Sequence, residues 1–325
     1  MGAAIGVGLF HSYTEAPVDP AWAMGGWPGD AAPGALRVRF TGTSTLLFHD
    51  GETAWMVDGW FSRPGPLSLL LGGVEPDIGA IHAGLERNGV RELAFVIPVH
   101  SHYDHAMDSP EVARRTGALL LGSETTANIG RGWGLSEDRI RVVRDGEPQR
   151  FGNFTITPLE TKHFQFPDPR VRERALGNPH LDAPLVPPVG AFDYPLGVPY
   201  ALHVEHPRGS FLVQGSAGYV EGAFEGVEVH TVFLGLGGLG TQTADYREAY
   251  WRETVERVGA QRVIPIHWDS LTAPIEGPFR GPARLMAFLS SGGRDTLGFL
   301  RDKARAKPEL VFWTLPRYEE VLLFP

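Results

Sequence analysis

Between Arg37 and Gly59 the hydrophobic and polar residues form short alternating runs that are typical of β-strands. The runs RVRF, STLLFHDG and TAWMVDG are joined by turn residues, and the Asp50-Gly51 pair favours a tight hairpin. This pattern predicts an antiparallel meander at the start of a folded body near Arg37. Residues 1–36 are rich in Ala, Gly and Pro without a clear period, and they are predicted to form an arm on its surface.

Helical periods and continuous apolar runs alternate in the next part of the chain. Residues 77–88 are predicted to form a helix that Gly89 ends, and the run ELAFVIPV that follows has the length of a buried strand. Another helix is predicted soon after, with Ser109 as its N-cap, Pro110 in its first turn and Gly117 at its end.

The late part of the chain repeats this arrangement. The stretch ADYREAYWRETVERVG predicts a helix ended by Gly259, and QRVIPIHWDS is similar to FVIPVHSHYD in placing a histidine after a buried apolar run. Two half-sheets that present histidines at strand ends predict a two-fold-like α/β sandwich with its site along one edge, since ligands gather where α/β strands end.

Residues 164–200 are too long for an ordinary connection and are rich in proline and aromatic side chains. They are predicted to form a lid or substrate loop. The expected organisation is therefore one domain, residues 37–325, with a lid insertion at about 164–200.

Composition narrows the function classes. The chain has 325 residues, of which 42% are hydrophobic and 21% charged, as is typical of a globular protein. Its 29 basic and 38 acidic residues give a net charge of −9 without a Lys/Arg cluster, so nucleic-acid binding lacks its electrostatic footprint. The sequence leaves the oligomeric state open.

No apolar run is long enough to predict a membrane span. The opening MGAAIGVGLF is interpreted as a floppy terminus, with the remnant of an export signal or membrane anchor as the alternative. A cytoplasmic location is therefore favoured over an exported or anchored form.

The strongest chemical signal is a cluster of metal-binding side chains. Because the chain has no cysteine, a metal must be held by His and carboxylate groups, which suit zinc, iron or manganese. The stretch VIPVHSHYDHAMD follows a buried strand and carries four such groups within six positions: His100, His102, Asp104 and His105. Residues two apart in an extended segment point the same way, so the first two histidines can bind one ion while the last two groups face a second.

The HSHYDH motif, a downstream His163 and a late strand-end His267 resemble the metallo-β-lactamase superfamily over about residues 37–312. The resemblance implies a four-layer αβ/βα sandwich with a metal site at its edge. Within the superfamily, VDGWFSRPG, FLGLGGLGTQT and the spacing to RVIPIH are most similar to one branch. That branch contains ascorbate-6-phosphate lactonase and the phospholipase D that acts on N-acylphosphatidylethanolamine.

The resemblance also implies two ligand groups and a residue that supports them. Asp58, in MVDGWF, stands where the superfamily keeps an aspartate that braces the metal loop from behind the ligands. The first metal is expected to bind His100, His102 and His163, and the second Asp104, His105 and His267.

Position 216 departs from the superfamily pattern. Where the family has Gly-Asp-x-Gly-Tyr, with the Asp bridging both metals, this chain has VQGSAGYV and therefore Ser216. A neutral hydroxyl is a poor substitute for a bridging carboxylate. Two zinc ions are expected, the second bound more weakly; the alternatives are a single-metal site and iron or manganese in place of zinc.

This site predicts a metal-dependent hydrolase that acts on a small molecule. Two divalent ions lower the pKa of a shared water toward about 7 and so generate a hydroxide nucleophile, which Asp104 is expected to orient while Ser216 holds a water. The expected substrate is a lactone, ester or amide with an apolar part. Substrate contacts are predicted in the lid and beside the motifs, at Trp60, Phe61, Phe166, His180, Tyr194 and Trp268.

Three alternatives stay open. The first is phosphodiester hydrolysis of the phospholipase D type. The second is a mononuclear iron oxygenase of the same fold, although such relatives use the aspartate that Ser216 replaces, and diiron oxidoreductases of the fold have Glu where His102 stands. The third is a non-catalytic metal-binding module, against which the complete set of six ligands argues.

Overall fold

The computed structural model describes residues 12–25, 32–284 and 293–325. These residues form fourteen strands, numbered here in chain order. They are β1 Leu36–Gly42, β2 Thr45–His49, β3 Ala54–Val57, β4 Phe95–Ile97, β5 Leu119–Gly122, β6 Ile140–Val142, β7 Gln149–Phe151, β8 Phe154–Glu160, β9 Tyr200–His206, β10 Gly209–Gln214, β11 Thr231–Gly235, β12 Arg262–Ile266, β13 Val311–Phe312 and β14 Val321–Phe324.

The same residues form eight α-helices and four short 3-10 turns. The helices are α1 Pro66–Leu71, α2 Ile78–Arg87, α3 Tyr103–Ala106, α4 Ser109–Thr116, α5 Glu124–Gly132, α6 Pro169–Leu176, α7 Ala244–Trp251 and α8 Gly293–Ala306. The 3-10 turns are Pro20–Trp22, Glu137–Arg139, Ala191–Asp193 and Leu239–Thr241.

The strands build two seven-stranded sheets with the same internal pattern. The first has the order β14-β1-β2-β3-β4-β5-β6 and is antiparallel from β14 to β3, then parallel from β3 to β6. The second has the order β7-β8-β9-β10-β11-β12-β13 and is antiparallel up to β10, then parallel. The predicted meander and the two-fold-like sandwich are therefore confirmed.

The main hydrophobic core lies between the two sheets and is rich in aromatic rings. Phe48 of β2 stacks on Phe211 of β10 with ring centroids 4.6 Å apart, which joins the sheets directly. Trp55 of β3 stacks on Phe48 at 4.7 Å and on Phe95 at 4.9 Å. Burying each such ring stabilises the fold by roughly 1.5–3 kcal/mol, so this stack holds the sheets together and fixes their strand ends relative to one another.

Helices cover the outer faces and complete the four layers. Leu85 of α2 and Val112 of α4 pack in a second apolar cluster against Met56 and Val96 of the first sheet. On the second sheet, Trp251 at the end of α7 stacks over Phe312 with centroids 6.1 Å apart. The four-layer αβ/βα architecture follows because each sheet has one face on the central core and the other under helices.

Helix boundaries show where the sequence pattern is sufficient and where it is not. The Asp77 side chain caps α2 by accepting a hydrogen bond from the Ala80 N–H at 3.0 Å, and the helix ends before Gly89, as predicted. The N-cap of α4 is Asp108, not Ser109, because the Ser109 hydroxyl instead donates to the Asp58 carbonyl at 2.5 Å.

The helix predicted to end at Gly259 is confirmed: α7 continues beyond Trp251 as the π-helix Arg252–Glu256, and Gly259 follows with a φ of 63°.

Residues 12–25 lie against the body. Trp22 stacks on Phe312 with ring centroids 4.7 Å apart, and the Met24 N–H donates to the Thr314 carbonyl at 3.0 Å. The opening decapeptide, and with it the export-signal hypothesis, lies outside the described residues. Within the described part of the chain, no helix has the length and apolar character that a membrane crossing needs. The single-domain organisation with an arm and a lid stays a prediction.

Candidate metal centre

The candidate site is built at one edge of the sandwich, where strands of both sheets end. From the first sheet, Asp58 follows β3 and His100 follows β4 within three residues. From the second sheet, His163 lies three residues after the end of β8, and His267 is the first residue after β12. Because the carboxyl ends of parallel strands meet at one edge, side chains that are distant in sequence converge there.

The first ligand group consists of three histidines whose rings surround a common point. The ring centroids of His100, His102 and His163 are 4.8, 5.1 and 4.9 Å apart in pairs. Backbone carbonyls fix two of the rings, since His102 Nε2 donates to the Ala175 carbonyl at 3.1 Å and His163 Nδ1 donates to the Phe164 carbonyl at 2.8 Å. His102 Nδ1 and His163 Nε2 are then left as the lone-pair nitrogens that a metal requires.

The second ligand group consists of one carboxylate and two imidazoles. The Nε2 atoms of His105 and His267 are 3.2 Å apart, and Asp104 Oδ2 lies 3.6 Å from the first and 3.4 Å from the second. The two groups adjoin, because the rings of His100 and His105 have centroids only 3.9 Å apart. Within each group the potential ligand atoms all lie within 4.8 Å of one another.

These residues fit divalent metal ions. At zinc–ligand distances of about 2.0–2.1 Å, the corners of a tetrahedron are about 3.3–3.4 Å apart, which is close to the separations in the Asp104, His105 and His267 group. Among the described residues, both ring nitrogens of the buried His100 lack a hydrogen-bond partner. A buried imidazole with two unpaired nitrogens is costly unless an ion or a water completes its surroundings.

The comparison with known proteins rests on structure alone, because the sequence matches no protein-family profile and no curated protein. The structure is similar to Igni18, a metallo hydrolase from the archaeon Ignicoccus hospitalis KIN4/I. The TM-score is 0.53 and the identity 15% over 88% of this chain and 97% of Igni18. The chain has the metallo-β-lactamase fold.

The structure is also similar to CmlA, a diiron β-hydroxylase from Streptomyces venezuelae. The TM-score is 0.52 and the identity 13% over 91% of this chain and 55% of CmlA. This chain therefore corresponds to about half of the CmlA chain. Both similarities concern the fold alone. The metal and the reaction have to be inferred from the donor atoms of this chain.

Protonation in the centre suits cation binding. Burial and the neighbouring imidazoles hold the pKa of His100 well below its usual range, so this ring is neutral, as a metal ligand must be. Burial raises the pKa of Asp104, but His105 and His267 outweigh this effect and keep the carboxyl ionised. Burial lowers the pKa of His105, yet Asp58 and Asp104 more than offset it and raise the pKa. The negative field that attracts a proton to His105 also favours a divalent cation.

Asp58 lies behind the second ligand group. Its Oδ2 accepts a hydrogen bond from His105 Nδ1 at 2.8 Å, and its Oδ1 accepts one from the Val99 N–H at 3.0 Å. The first bond fixes the tautomer of His105 with its lone pair on Nε2, toward the metal position. Asp58 has a φ of 56°, a backbone conformation that costs a non-glycine residue about 1–3 kcal/mol. The fold therefore stabilises a strained residue at this point.

Both ligand groups open onto a cavity of about 170 Å³. One wall comes from residues 164–193 and is formed by Phe164, Phe166, Val171, Ala175, Ala191 and Phe192. The opposite wall comes from residues 268–283 and is formed by Trp268, Asp269, Ser270, Leu271, Thr272, Pro282 and Ala283. The described lining contains no Lys or Arg.

The second cavity wall is supported from outside by the chain that precedes the body. The Thr14 N–H donates to the Pro282 carbonyl at 2.9 Å, and the Tyr13 hydroxyl donates to the Thr272 carbonyl at 3.2 Å. Gly281 is required for this approach, because a Cβ there would lie 2.2 Å from the Glu15 carbonyl oxygen. A wall without regular secondary structure is in this way tied to a second segment.

The predicted substrate contacts divide into three groups. Phe166 and Trp268 lie on the cavity walls. Trp60, Phe61 and Tyr194 are buried in apolar clusters and do not line the cavity. Phe61 packs with Met56 of the meander, and Trp60 and Tyr194 share a separate cluster. His180 is exposed and lies outside the cavity lining. A position beside a motif or within a long loop therefore does not by itself place a side chain at the site.

Ser216 is buried next to the first ligand group. Its hydroxyl accepts a hydrogen bond from the Phe164 N–H at 3.4 Å, one residue after the ligand His163. Its carbonyl is held by Gln214 Nε2 at 2.9 Å and by the Tyr250 hydroxyl at 3.3 Å. Its predicted role in holding a water stays a prediction.

The sequence analysis missed the turn between β1 and β2. Ser44 Oγ lies 3.3 Å from His105 Nδ1, and the Thr43 carbonyl accepts a hydrogen bond from the His267 N–H at 2.5 Å. Two ligands of the second group are therefore supported by one turn in the FTGTST stretch. The Thr-Ser sequence is a common turn signal and carries no indication of this contact.

Proposed function

We propose that this chain is a zinc-dependent hydrolase that cleaves a lactone, ester or amide with an apolar part. The observation that carries the proposal is the position of two neighbouring metal-ligand groups at the floor of a cavity with apolar walls. The donor set of five histidines and one carboxylate suits zinc. The fold shared with Igni18, which is itself a metallo hydrolase, supports the same reaction type.

The two ligand groups would hold the zinc ions, which would lower the pKa of a coordinated water to about 7 and stabilise negative charge on a substrate oxygen. The protein side chains then orient this chemistry. Asp104 stays ionised, so its carboxylate can accept a hydrogen bond from the attacking water and aim it at the substrate carbonyl. Such a low-pKa group orients the water rather than storing its proton.

Tyr103 can assist at the leaving oxygen or the carbonyl oxygen. Tyr103 lines the cavity and stands between the ligands His102 and Asp104 in the sequence. Burial raises the pKa of Tyr103 well above its usual value, and the Asp104 charge raises it further, so the hydroxyl stays protonated at neutral pH. A protonated hydroxyl in a cavity of low polarity can donate a hydrogen bond to developing negative charge.

The cavity favours an uncharged substrate over a phosphodiester. The wall from residues 164–193 is wholly aromatic and aliphatic and can accept an apolar acyl or ring group. The lack of Lys and Arg in the described lining leaves a phosphate without a cationic side chain. Lactone or ester cleavage is therefore the first expected reaction, as in the lactonase side of the resembling branch. Phosphodiester cleavage is the second.

Replacing Phe166 with alanine is expected to reduce discrimination by acyl length. We expect the KM for 4-nitrophenyl hexanoate to rise about 10-fold, corresponding to about 1.4 kcal/mol of lost apolar contact, with a smaller change for the acetate ester. The measurement is steady-state hydrolysis of both esters, together with bis(4-nitrophenyl) phosphate.

Phe151→Ala is the matched control, because Phe151 lies on β7, outside the cavity lining. Faster turnover of the phosphodiester than of either ester would contradict the proposed substrate class. An equal loss on the two esters would contradict the role of Phe166.

A second candidate function is oxygen chemistry at iron. Asp104, His105 and His267 form a set of two imidazoles and one carboxylate, which is also the donor set of many non-haem iron oxygenases. CmlA, of the same fold, is a diiron β-hydroxylase. Against this candidate, the chain offers Ser216 at the bridging position and His102 where carboxylate-rich diiron sites have Glu.

A further inference from the structure

Behind the second ligand group, Thr43 is held by three separate contacts. Its carbonyl accepts a hydrogen bond from the His267 N–H at 2.5 Å, and its own N–H donates one to Asp269 Oδ1 at 2.6 Å. Its hydroxyl accepts a hydrogen bond from Arg63 Nη1 at 2.6 Å. The next residue, Ser44, contacts His105. One short turn therefore joins two metal ligands to a buried pair of charged side chains.

Arg63 and Asp269 form that pair. Their side chains are 3% and 1% exposed, and Arg63 Nη2 lies 3.4 Å from Asp269 Oδ2. Arg63 Nη1 also donates to the Ser270 carbonyl at 3.1 Å, at the start of one cavity wall. The turn fits tightly against the pair, because a Cβ on Gly42 would lie 2.5 Å from Asp269 Oδ2 and 2.6 Å from Arg63 Nη2.

Backbone strain is concentrated around the same point. Five non-glycine residues in the described chain have a positive φ, and three of them belong to this network or to the ligands it supports: Thr43 (53°), Arg63 (45°) and His267 (54°). Of the other two, Asp58 (56°) accepts a hydrogen bond from His105 Nδ1, and Tyr318 (64°) belongs neither to the network nor to the ligand groups. Such conformations persist only where surrounding contacts hold them, and they cluster at functional sites.

We propose that Arg63 and Asp269 are positioning residues for the second metal ion. They hold the Thr43–Ser44 turn, and the turn holds His267 and His105 in the geometry that the ion requires. The inference rests on the proposed dinuclear centre. It also gives a reason why a site with Ser216 in place of a bridging carboxylate can keep a second ion, because the ligands are organised from behind instead of by a bridge.

The test is zinc titration of the full-length protein against a chromophoric chelator, with Arg63→Gln and Thr43→Val as variants. Each variant is expected to lower the affinity for the second zinc ion about 10- to 100-fold. The affinity for the first zinc ion, at His100, His102 and His163, is expected to stay unchanged. Thr43→Val removes one hydroxyl at nearly constant shape, so it serves as the test if Arg63→Gln does not fold.

Two controls separate positioning from general stability. Thr43→Ser keeps the hydroxyl that Arg63 contacts and is expected to retain wild-type affinity for both ions. Arg262→Gln changes an arginine at the opposite end of β12, the strand that leads to His267, and is expected to leave both affinities unchanged. Cobalt bound in place of zinc provides a second readout, since the visible spectrum of the second equivalent reports its coordination.

The outcomes distinguish the two proposals. A wild-type protein that binds two zinc ions, with variants that lose affinity for both ions equally, would overturn the positioning role alone. Unchanged affinities in Thr43→Val and Arg63→Gln would do the same. A wild-type protein that binds one zinc would overturn the dinuclear centre, and the positioning role with it.

Discussion

Replacing His267 with alanine is expected to lower hydrolysis by more than about 10³-fold while the protein stays folded. The His267 Nε2 lies 3.2 Å from His105 Nε2 and 3.4 Å from Asp104 Oδ2, so its removal opens one corner of the second ligand group. Loss of an ion that supplies several kcal/mol to the transition state accounts for a decrease of this size. His102→Ala is expected to have an effect of the same order through the first group.

The measurement is the ratio kcat/KM for the best ester or lactone, together with thermal unfolding of each variant. His82→Ala is the matched control, because His82 is exposed on α2, away from both ligand groups. Activity within about threefold of wild type in His267→Ala or His102→Ala would rule out a dinuclear hydrolase. Loss of folding in the variants would instead show that these histidines are structural.

Replacing Asp58 with asparagine is expected to lower the affinity for the second metal ion about 10- to 100-fold and to lower turnover in proportion. Asp58 accepts hydrogen bonds on both oxygens, from His105 Nδ1 and from the Val99 N–H. An asparagine has one acceptor oxygen, so one of the two donors loses its partner and the ring of His105 is no longer held in one tautomer. Zinc titration of the second equivalent measures the effect.

Asp50→Asn supplies a matched control for this prediction. Asp50 is another buried aspartate that contacts a histidine, with Oδ2 3.3 Å from His206 Nε2, and it lies at the β2–β3 turn, outside both ligand groups. Its replacement is expected to reduce stability without changing zinc affinity. If Asp58→Asn behaved in the same way, Asp58 would be a structural residue and not a support for the metal ligand.

Local sequence signals were sufficient for the strand-edge position of the site. The apolar runs before His100 and His267 predict buried strands, and the structure has them as β4 and β12. His102, Asp104 and His105 instead lie at the start of helix α3 or within it. Gly89 and Gly117 mark helix ends correctly, because a left-handed residue after a helix requires glycine and leaves that requirement in the sequence.

Contacts between distant segments were not predictable in this way. Ser109 has the residue type of an N-cap, but its hydroxyl is used by the carbonyl of Asp58, 51 positions earlier. Trp60 was predicted to contact substrate because it is close in sequence to a motif, yet the fold buries it completely. The local sequence shows which contacts a side chain is able to make, but the contact that forms depends on tertiary packing.

The contacts behind the second ligand group show the same limit most clearly. The contact between Thr43 and Asp269 spans 226 positions, and nothing in the local sequence of either residue indicates the other as its partner. The positive φ angles of Thr43 and Arg63 cannot be predicted from residue type, because both side chains disfavour this conformation. Such residues become visible only when the fold brings them together.

The metal content of the protein tests the central claim most directly. The measurement is elemental analysis of protein purified without added metal, repeated after chelation and titration with zinc. About two zinc ions per chain, with the second removed more easily, is the result that this account predicts. One iron per chain, with no second site on titration, would contradict the dinuclear zinc hydrolase and would direct attention to oxygen chemistry.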